Sequence, residues 1–433
     1  MKSNKNIKRR DFIKASAVAS IGIPCIVPST VFGANTPGNR LTLGHIGVGS
    51  MGKSNMRRFL PRDDVQIVAV CDVDRSRRLE AKKLTEDTYA EKKSSGTYRG
   101  CDDYNDFREI ISREDIDLVC IATPDHWHAI PAIMAANAGK DIYCEKPIAL
   151  TITEGQAMCE AVRRNNIVWQ TGSQQRSDRN FRFATELVRN GRIGKLHTVY
   201  VGLPNGSSIE PQPEMPVPEG FEYDFWLGPA PWAPYTEKRC HWNFRWIMDY
   251  SGGQLSDWAG HHCDIAHWGM NTEYTGPVEI EGSGEYPRIG LWNTALTYHF
   301  ICKYANGLIM DVTNNKQNKQ GVKFVGTDGW VFVNRQELDA EPKSLLTSII
   351  GRDEIHLYRS DDHGGNFIDC VKSRKRTVAP LEILHRSVSI AHLGNIAMQL
   401  KRKLRWDPDN ERFVNDPEAD RMLSRAMRSP WHL

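Results

Sequence analysis

The chain has 433 residues, 40% hydrophobic and 9% aromatic, enough for two domains with sizeable cores, and it carries no repeat of fixed period. Its formal charge of +3 collects at the start, where residues 1–34 hold Lys2, Lys5, Lys8, Arg9, Arg10 and Lys14 against Asp11 alone, leaving the remainder slightly acidic. Elsewhere basic runs are confined to residues 374–376 and 401–405, a pattern of solvated faces that argues against nucleic acid as a partner.

Lys8-Arg9-Arg10-Asp11-Phe12-Ile13-Lys14, followed by an apolar stretch over residues 15–34, reads as a twin-arginine signal for export to the periplasm, with cleavage near Ala34. Lipidation at Cys25 ranks second, because Gly22-Ile23-Pro24 fits such a site poorly. Pro24, Pro28 and the short apolar length argue against a membrane span, and no later segment approaches the roughly 20 apolar residues that one needs. The route serves proteins folded around a cofactor before export, so a dinucleotide carried by this chain is expected to be held tightly.

Residues 35–172 read as a dinucleotide-binding domain. After a strand-like run over residues 41–46, Gly47-Val48-Gly49-Ser50-Met51-Gly52 opens a helix. The first Gly permits the tight turn, the second lets backbone approach a pyrophosphate beside Ser50 and Met51, and the third lets helix and strand pack closely. A second strand over residues 65–71 ends at Asp72, a carboxylate placed to accept bonds from ribose hydroxyls and to disfavour a 2′-phosphate. This points to NAD, with Arg77 and Arg78 keeping NADP as the lesser reading. Residues 103–111 read as helix and 117–122 as a buried strand ending at Thr123-Pro124. Residues 128–139 are again helical, and 141–144 form a strand ending at Glu145-Lys146-Pro147. Ligands bind outside the carboxyl ends of parallel strands, so these ends are expected to share one crevice with the glycine turn. Cys71, Cys120 and Cys144 lie in apolar runs and read as small core residues rather than as a disulfide or zinc framework.

Residues 173–433 follow a different pattern. After a helix over residues 180–190, strand-like runs over 197–202, 278–284, 293–300, 308–313 and 322–333 come without regular interleaved helices, which predicts a mainly antiparallel sheet in a second domain. A span rich in Pro and Trp over residues 204–246 reads as an ordered loop covering a site, with Trp226, Trp232, Trp242 and Trp246 as candidates to stack on a sugar ring, and equally as loop anchors. Residues 380–402 predict a long helix.

In Gly252-Gly253-Gln254-Leu255-Ser256-Asp257-Trp258-Ala259-Gly260-His261-His262, Asp257 and His261 stand four apart and share one helix face. A histidine oriented by a carboxylate suits proton removal from a hydroxyl while hydride leaves the same carbon, and Lys146 is expected across the crevice. The competing meanings are a helix-surface hydrogen bond and a metal set from His261, His262 and His267. The metal set lacks a completing ligand shell, and His261 and His262 point apart on a helix, so no metal is expected.

Taken in order, Gly47-x-Gly49-x-x-Gly52, Asp72, Thr123-Pro124, Glu145-Lys146-Pro147 and Gly252-Gly253-x-x-x-Asp257-x-x-x-His261 resemble the glucose-fructose oxidoreductase / inositol dehydrogenase (Gfo/Idh/MocA) family over nearly the whole mature chain. The resemblance implies an α/β protein: an N-terminal Rossmann domain and a C-terminal α/β domain whose open, mainly antiparallel sheet serves as an oligomer interface. It makes Lys146, Asp257 and His261 the catalytic set, with His128 near the nicotinamide crevice. His45, where an aliphatic residue is usual, and Ala259-Gly260 depart from the pattern without touching these positions.

The resemblance implies oxidation of a secondary alcohol of a sugar or glycoside, C3 among the candidates, onto tightly bound NAD. Gln175, Trp242, Arg245 and His262 are candidate substrate contacts. The alternative is a redox-neutral hydrolase or lyase working through a transient keto-sugar.

Overall fold

Two sheets make up the architecture in the computed structural model, which describes residues 40–314 and 317–433. The signal segment expected over residues 1–34 lies outside the described residues. The first sheet holds β1 (Leu41–Ile46), β2 (Val65–Cys71), β3 (Asp102–Tyr104), β4 (Leu118–Ile121), β5 (Asp141–Cys144) and β6 (Trp169–Thr171). Their order is β3-β2-β1-β4-β5-β6, and every neighbouring pair is parallel. The helices α1 (Ser50–Phe59), α2 (Arg75–Thr88), α3 (Phe107–Ser112), α4 (Ala129–Asn137) and α5 (Ile152–Arg164) alternate with these strands. Parallel strands covered on both faces are mostly apolar, which is why β2, β4 and β5 are largely hydrophobic runs holding Cys71, Cys120 and Cys144 in the core. The strand order reverses between β1 and β4, and that switch point is where a doubly wound sheet opens a crevice.

The helix expected from residue 103 starts at Phe107. Residues Asp102–Tyr104 instead extend the sheet on β2, and Asp106 caps the helix by accepting from the Arg108 amide at 2.9 Å. His45 fits into β1 fully buried, and burial without a partner for either ring nitrogen lowers its pKa to about 3, so it serves as a neutral core residue.

The second half contributes α6 (Arg179–Arg189), β7 (Leu196–Leu203), α7 (Gly253–Met270), β8 (Glu279–Glu285), β9 (Thr297–Lys303), β10 (Ile309–Asn314), β11 (Gly321–Gly326), β12 (Trp330–Val333), β13 (Leu338–Glu341), α8 (His363–Ser373), α9 (Leu381–Leu400), β14 (Leu404–Asp407) and β15 (Arg412–Phe413). The nine-stranded sheet runs β13-β12-β11-β7-β10-β9-β8-β14-β15 and is antiparallel except for the β7/β10 pair. The run over residues 322–333 is two strands joined by a turn rather than one. One core unites α6, α7 and α9 with this sheet, through Phe181, Leu187, Ala259, Cys263, Phe300, Phe324 and Leu393.

Two connections bind this half to the first sheet. Phe367, Ile368 and Val371 of α8 join the core of Leu43, Val65 and Leu118, while Leu384 and Val388 of α9 join that of Ile121 and Ile142. The aromatic loop after β7 has a small core of its own, formed by Phe221, Tyr223, Trp226, Leu227, Tyr235 and Tyr250. It is pinned beside the end of β2 by Arg75 N–H to Gly220 O (2.9 Å) and Glu222 N–H to Val73 O (3.0 Å). No helix among the described residues is long and apolar enough to cross a membrane.

Candidate active site

A cavity of about 1080 Å³ lies at the switch point, and its walls bring together the glycine turn, the ends of β2, β4 and β5, the start of α7 and the aromatic loop. Gly47, Gly49, Ser50, Met51, Asp72, Thr123, Pro124, Glu145, Lys146, Gln175, Trp242, Arg245, Asp257 and His261 all face it. Gly52, His128 and His262 stand behind its walls.

The glycine turn has little room for side chains. Gly47 adopts φ +83°, and a Cβ there would stand 2.7 Å from Ala122 O. A Cβ on Gly52 would stand 2.1 Å from Gly47 O, so this residue packs α1 against the turn without facing the ligand. Asp72 accepts the Val48 amide through Oδ2 (2.9 Å) and the Asp74 amide through Oδ1 (3.0 Å). Burial raises its pKa, and the two amides and Arg77 oppose that rise. Arg77 lines the cavity beside Gly49 and pairs with Asp74 at 3.4 Å, whereas Arg78 is turned away onto Asp103 (3.0 Å). A backbone cradle with a carboxylate at its ribose end fits NAD, and its residues are Gly47, Gly49, Ser50, Met51 and Asp72.

The opposite end of the cavity is built from both sheets. Lys146 follows β5, and its Nζ donates to Asp257 Oδ1 at 2.7 Å and lies 3.3 Å from Asp257 O. Its stem lies on Gly260, where a Cβ would sit 3.4 Å from Lys146 Cβ. The start of α7 needs Gly253, at φ +79°, because a Cβ there would stand 2.7 Å from Thr294 Cβ. Burial raises the Asp257 carboxyl, but Lys146, Arg245 and Arg335 more than offset it and hold the group below its ordinary range. Asp257 thus grips Lys146 rather than His261, which corrects the expectation that this carboxylate orients the histidine. His261 stacks edge-on against Trp258 (5.7 Å) with a buried Nδ1 that has no partner. Burial, then Lys146 and Arg335, push its pKa well below 6.5, so the ring is a neutral proton acceptor.

His128 has both ring nitrogens against carbonyls, Nδ1 to Pro147 O (2.7 Å) and Nε2 to Thr123 O (2.9 Å), so it ties two strand ends together. His262 packs on Trp258 (5.3 Å) behind the wall. Gln175 bridges the centre to a second arginine: in the amide orientation that satisfies both its atoms, it donates to His261 O (3.1 Å) and accepts from Arg335 Nε (3.2 Å). Of the four candidate tryptophans, Trp226, Trp242 and Trp246 line the cavity, Trp226 as a buried anchor whose carbonyl accepts from Trp127 Nε1 (2.9 Å), while Trp232 is 66% exposed away from it.

Two functional candidates escaped the sequence reading. Asp125, one residue past Thr123-Pro124, is buried at the cavity with Oδ2 unpartnered, and burial pushes its carboxyl up to about 7 against the Ser251 hydroxyl, with Asp257 adding to the rise. Arg335 comes from the turn between β12 and β13, which no local pattern directs toward the cavity.

Two family models match the chain: "Oxidoreductase family, NAD-binding Rossmann fold" over residues 41–173 and "Oxidoreductase family, C-terminal alpha/beta domain" over residues 205–433. A myo-inositol 2-dehydrogenase of Thermotoga maritima is 30% identical over 307 residues, covering 68% of this chain and 75% of the relative. A glycosyl hydrolase family 109 protein of Shewanella baltica is 27% identical over 208 residues, 44% of each chain. For several curated relatives the match spans about half their length. Among solved structures, an aldose-aldose oxidoreductase of Caulobacter crescentus superposes with TM-score 0.59 at 18% identity, over 84% of this chain and 99% of that one, which speaks to fold. With its two halves matched separately and in the order the folds require, the chain belongs to the Gfo/Idh/MocA oxidoreductase family and carries that family's NAD-binding Rossmann domain.

Proposed function

We propose that the protein oxidises a secondary alcohol of a sugar or glycoside, using NAD retained in the cavity. The observation that carries this reading is the meeting of Lys146, Asp257 and His261 on the cavity that also holds the glycine cradle and Asp72. When bound, NAD supplies the hydride acceptor. The chain's own residues handle the proton: neutral His261 accepts it from the substrate hydroxyl, and Lys146, held in place by Asp257, donates a hydrogen bond to the oxygen as charge develops there. The aromatic walls, Phe221, Phe225, Trp242 and Trp246, exclude water and offer faces to the C–H surfaces of a ring. The backbone bonds from Gly220 and Glu222 to the end of β2 favour retention over exchange, in keeping with export by the twin-arginine route. The open face of the nine-stranded sheet is the proposed surface for self-association.

A second reading, redox-neutral cleavage of a glycoside through a transient keto-sugar, draws on the likeness to a glycosyl hydrolase family 109 protein. Incubation of the purified, cofactor-loaded protein with glycosides, followed by nicotinamide absorbance and product masses, separates the two: a keto-sugar supports oxidation and a released aglycone supports cleavage. Lys146→Ala and His261→Ala are each expected to lose about 10²- to 10⁴-fold in turnover while keeping the cofactor. Full activity in both variants would sink the assignment of the catalytic set.

A further inference from the structure

Two arginines at the reacting end of the cavity are held without an ion pair. Lys146 is matched by Asp257 at 2.7 Å. Arg245 and Arg335 also line the cavity and act electrostatically on Asp257, yet among the described residues neither forms an ion pair with a carboxylate. Each is instead held by an aromatic face. Arg245 lies 3.7 Å over the Trp242 ring and donates to Trp242 O. Arg335 lies 4.8 Å over Trp258 and spends its Nε–H on Gln175. These contacts fix the two guanidinium planes and leave further N–H groups of each unspent, since a guanidinium carries five. The other carboxyls on this wall are engaged elsewhere or buried: Glu145 accepts from Asn55 Nδ2 (3.0 Å), Asp178 caps α6, and burial raises Asp125.

Two guanidiniums fixed on a cavity wall with N–H groups to spare are a ready receiver for an anionic group of the ligand. A neutral hydroxyl accepts one ordinary hydrogen bond from such a group, whereas a carboxylate accepts charge-assisted bonds through both oxygens. We infer that the substrate is an acidic sugar, a hexuronic acid or its glycoside, whose carboxylate is received by Arg245 and Arg335 while a ring hydroxyl meets Lys146 and His261. This rests on the oxidative reading of the same site and names its substrate class. Planar guanidinium forks match the two oxygens of a carboxylate, and the Trp242 and Trp258 faces that hold them also flank the ring. The exposed position of Arg335 puts the carboxylate toward the mouth of the cavity, with the reacting carbon on the inner side.

The test uses methyl glycosides of glucuronic, galacturonic and mannuronic acid beside the parent methyl hexosides and the corresponding hexose 6-phosphates. Binding to the cofactor-loaded protein is measured by calorimetry, and turnover by the mass of the keto product. At least one uronide is expected to bind roughly 10- to 100-fold more tightly than its parent hexoside, as for one or two charge-assisted hydrogen bonds. Arg245→Gln and Arg335→Gln are each expected to cut that preference at least several-fold, about the weight of one such bond. Parent hexosides bound as tightly as uronides, no binding in either series, or an undiminished preference in both variants would overturn the inference. A preference for the 6-phosphates over the uronides would overturn the carboxylate assignment. Should a variant fail to fold, the preference of the unaltered protein decides. A uronide that binds but yields no keto product would sink the oxidative reading and leave the acidic-ligand inference standing.

Discussion

His261 and Asp125 meet the same burial with opposite results. Loss of water disfavours the charged form of each, so the histidine is driven toward neutral and well below 6.5 while the carboxyl is driven up to about 7. His261 therefore keeps its proton-accepting form across the ordinary pH range and contributes no inflection near 6.5. Asp125 does titrate there. Protonated below about 7 and ionised above it, the carboxyl adds negative charge beside Lys146 and Asp257 as pH rises, and any such charge strengthens a neighbouring base. kcat/KM is expected to climb between pH 6 and 8 in the unaltered protein and to be flat in Asp125→Asn. An inflection that survives the substitution would assign the titration to another group.

At the scale of elements, α7 and the short segment after β6 are locked by a buried ion pair. Asp264 accepts Arg176 Nε at 2.7 Å and Nη2 at 2.8 Å, and also the hydroxyls of Ser173 and Ser387 at 3.1 Å each. Asp264→Asn leaves the buried guanidinium with Glu273 as its remaining carboxylate and is expected to cost about 3–5 kcal/mol of stability in urea unfolding. An unchanged midpoint would show that Glu273 suffices. Gly52→Ala drives a methyl group into the carbonyl of Gly47 and is expected to cost about 1–3 kcal/mol, together with NAD affinity measured by fluorescence titration. Loss of stability without loss of affinity would detach the third glycine from cofactor binding.

The elements themselves were unevenly legible. β1, β2, β4 and β5 announce themselves because a parallel strand buried on both faces is a mostly apolar run, and Lys146, Asp257 and His261 stand at the ends of such runs or on one helix face. β3 and β13–β15 are two to four residues long and largely polar, formed by the partner that pairs with them rather than by their own sequence. Arg335 is hidden for the same reason, since its turn reaches the cavity only through the sheet's register. Asp125 could be seen at a strand end, but its raised pKa comes first from burial under distant parts of the fold, with Asp257, far along the chain, adding to the rise.

For the molecule as a whole, the first sheet is completed by the last quarter of the sequence. α8 supplies Phe367 and Ile368 to one of its faces and α9 supplies Leu384 to the other, so residues 41–171 lack part of their core without residues 363–388. Phe221 likewise lies across Asp74, close to Asp72. Hydrogen exchange is expected to slow at the Arg75 and Glu222 amides when NAD is added, because ligand and loop close the same end of the cavity. Equal exchange with and without NAD would uncouple them.

That pairing of Val73 and Arg75 with Glu222 and Gly220 joins segments that are made far apart in time. The turn and carboxylate that cradle a dinucleotide are translated first, the aromatic loop much later, and the helices that finish the core last. A ligand seated before the loop closes becomes part of the fold's interior, so loading and folding merge into one event.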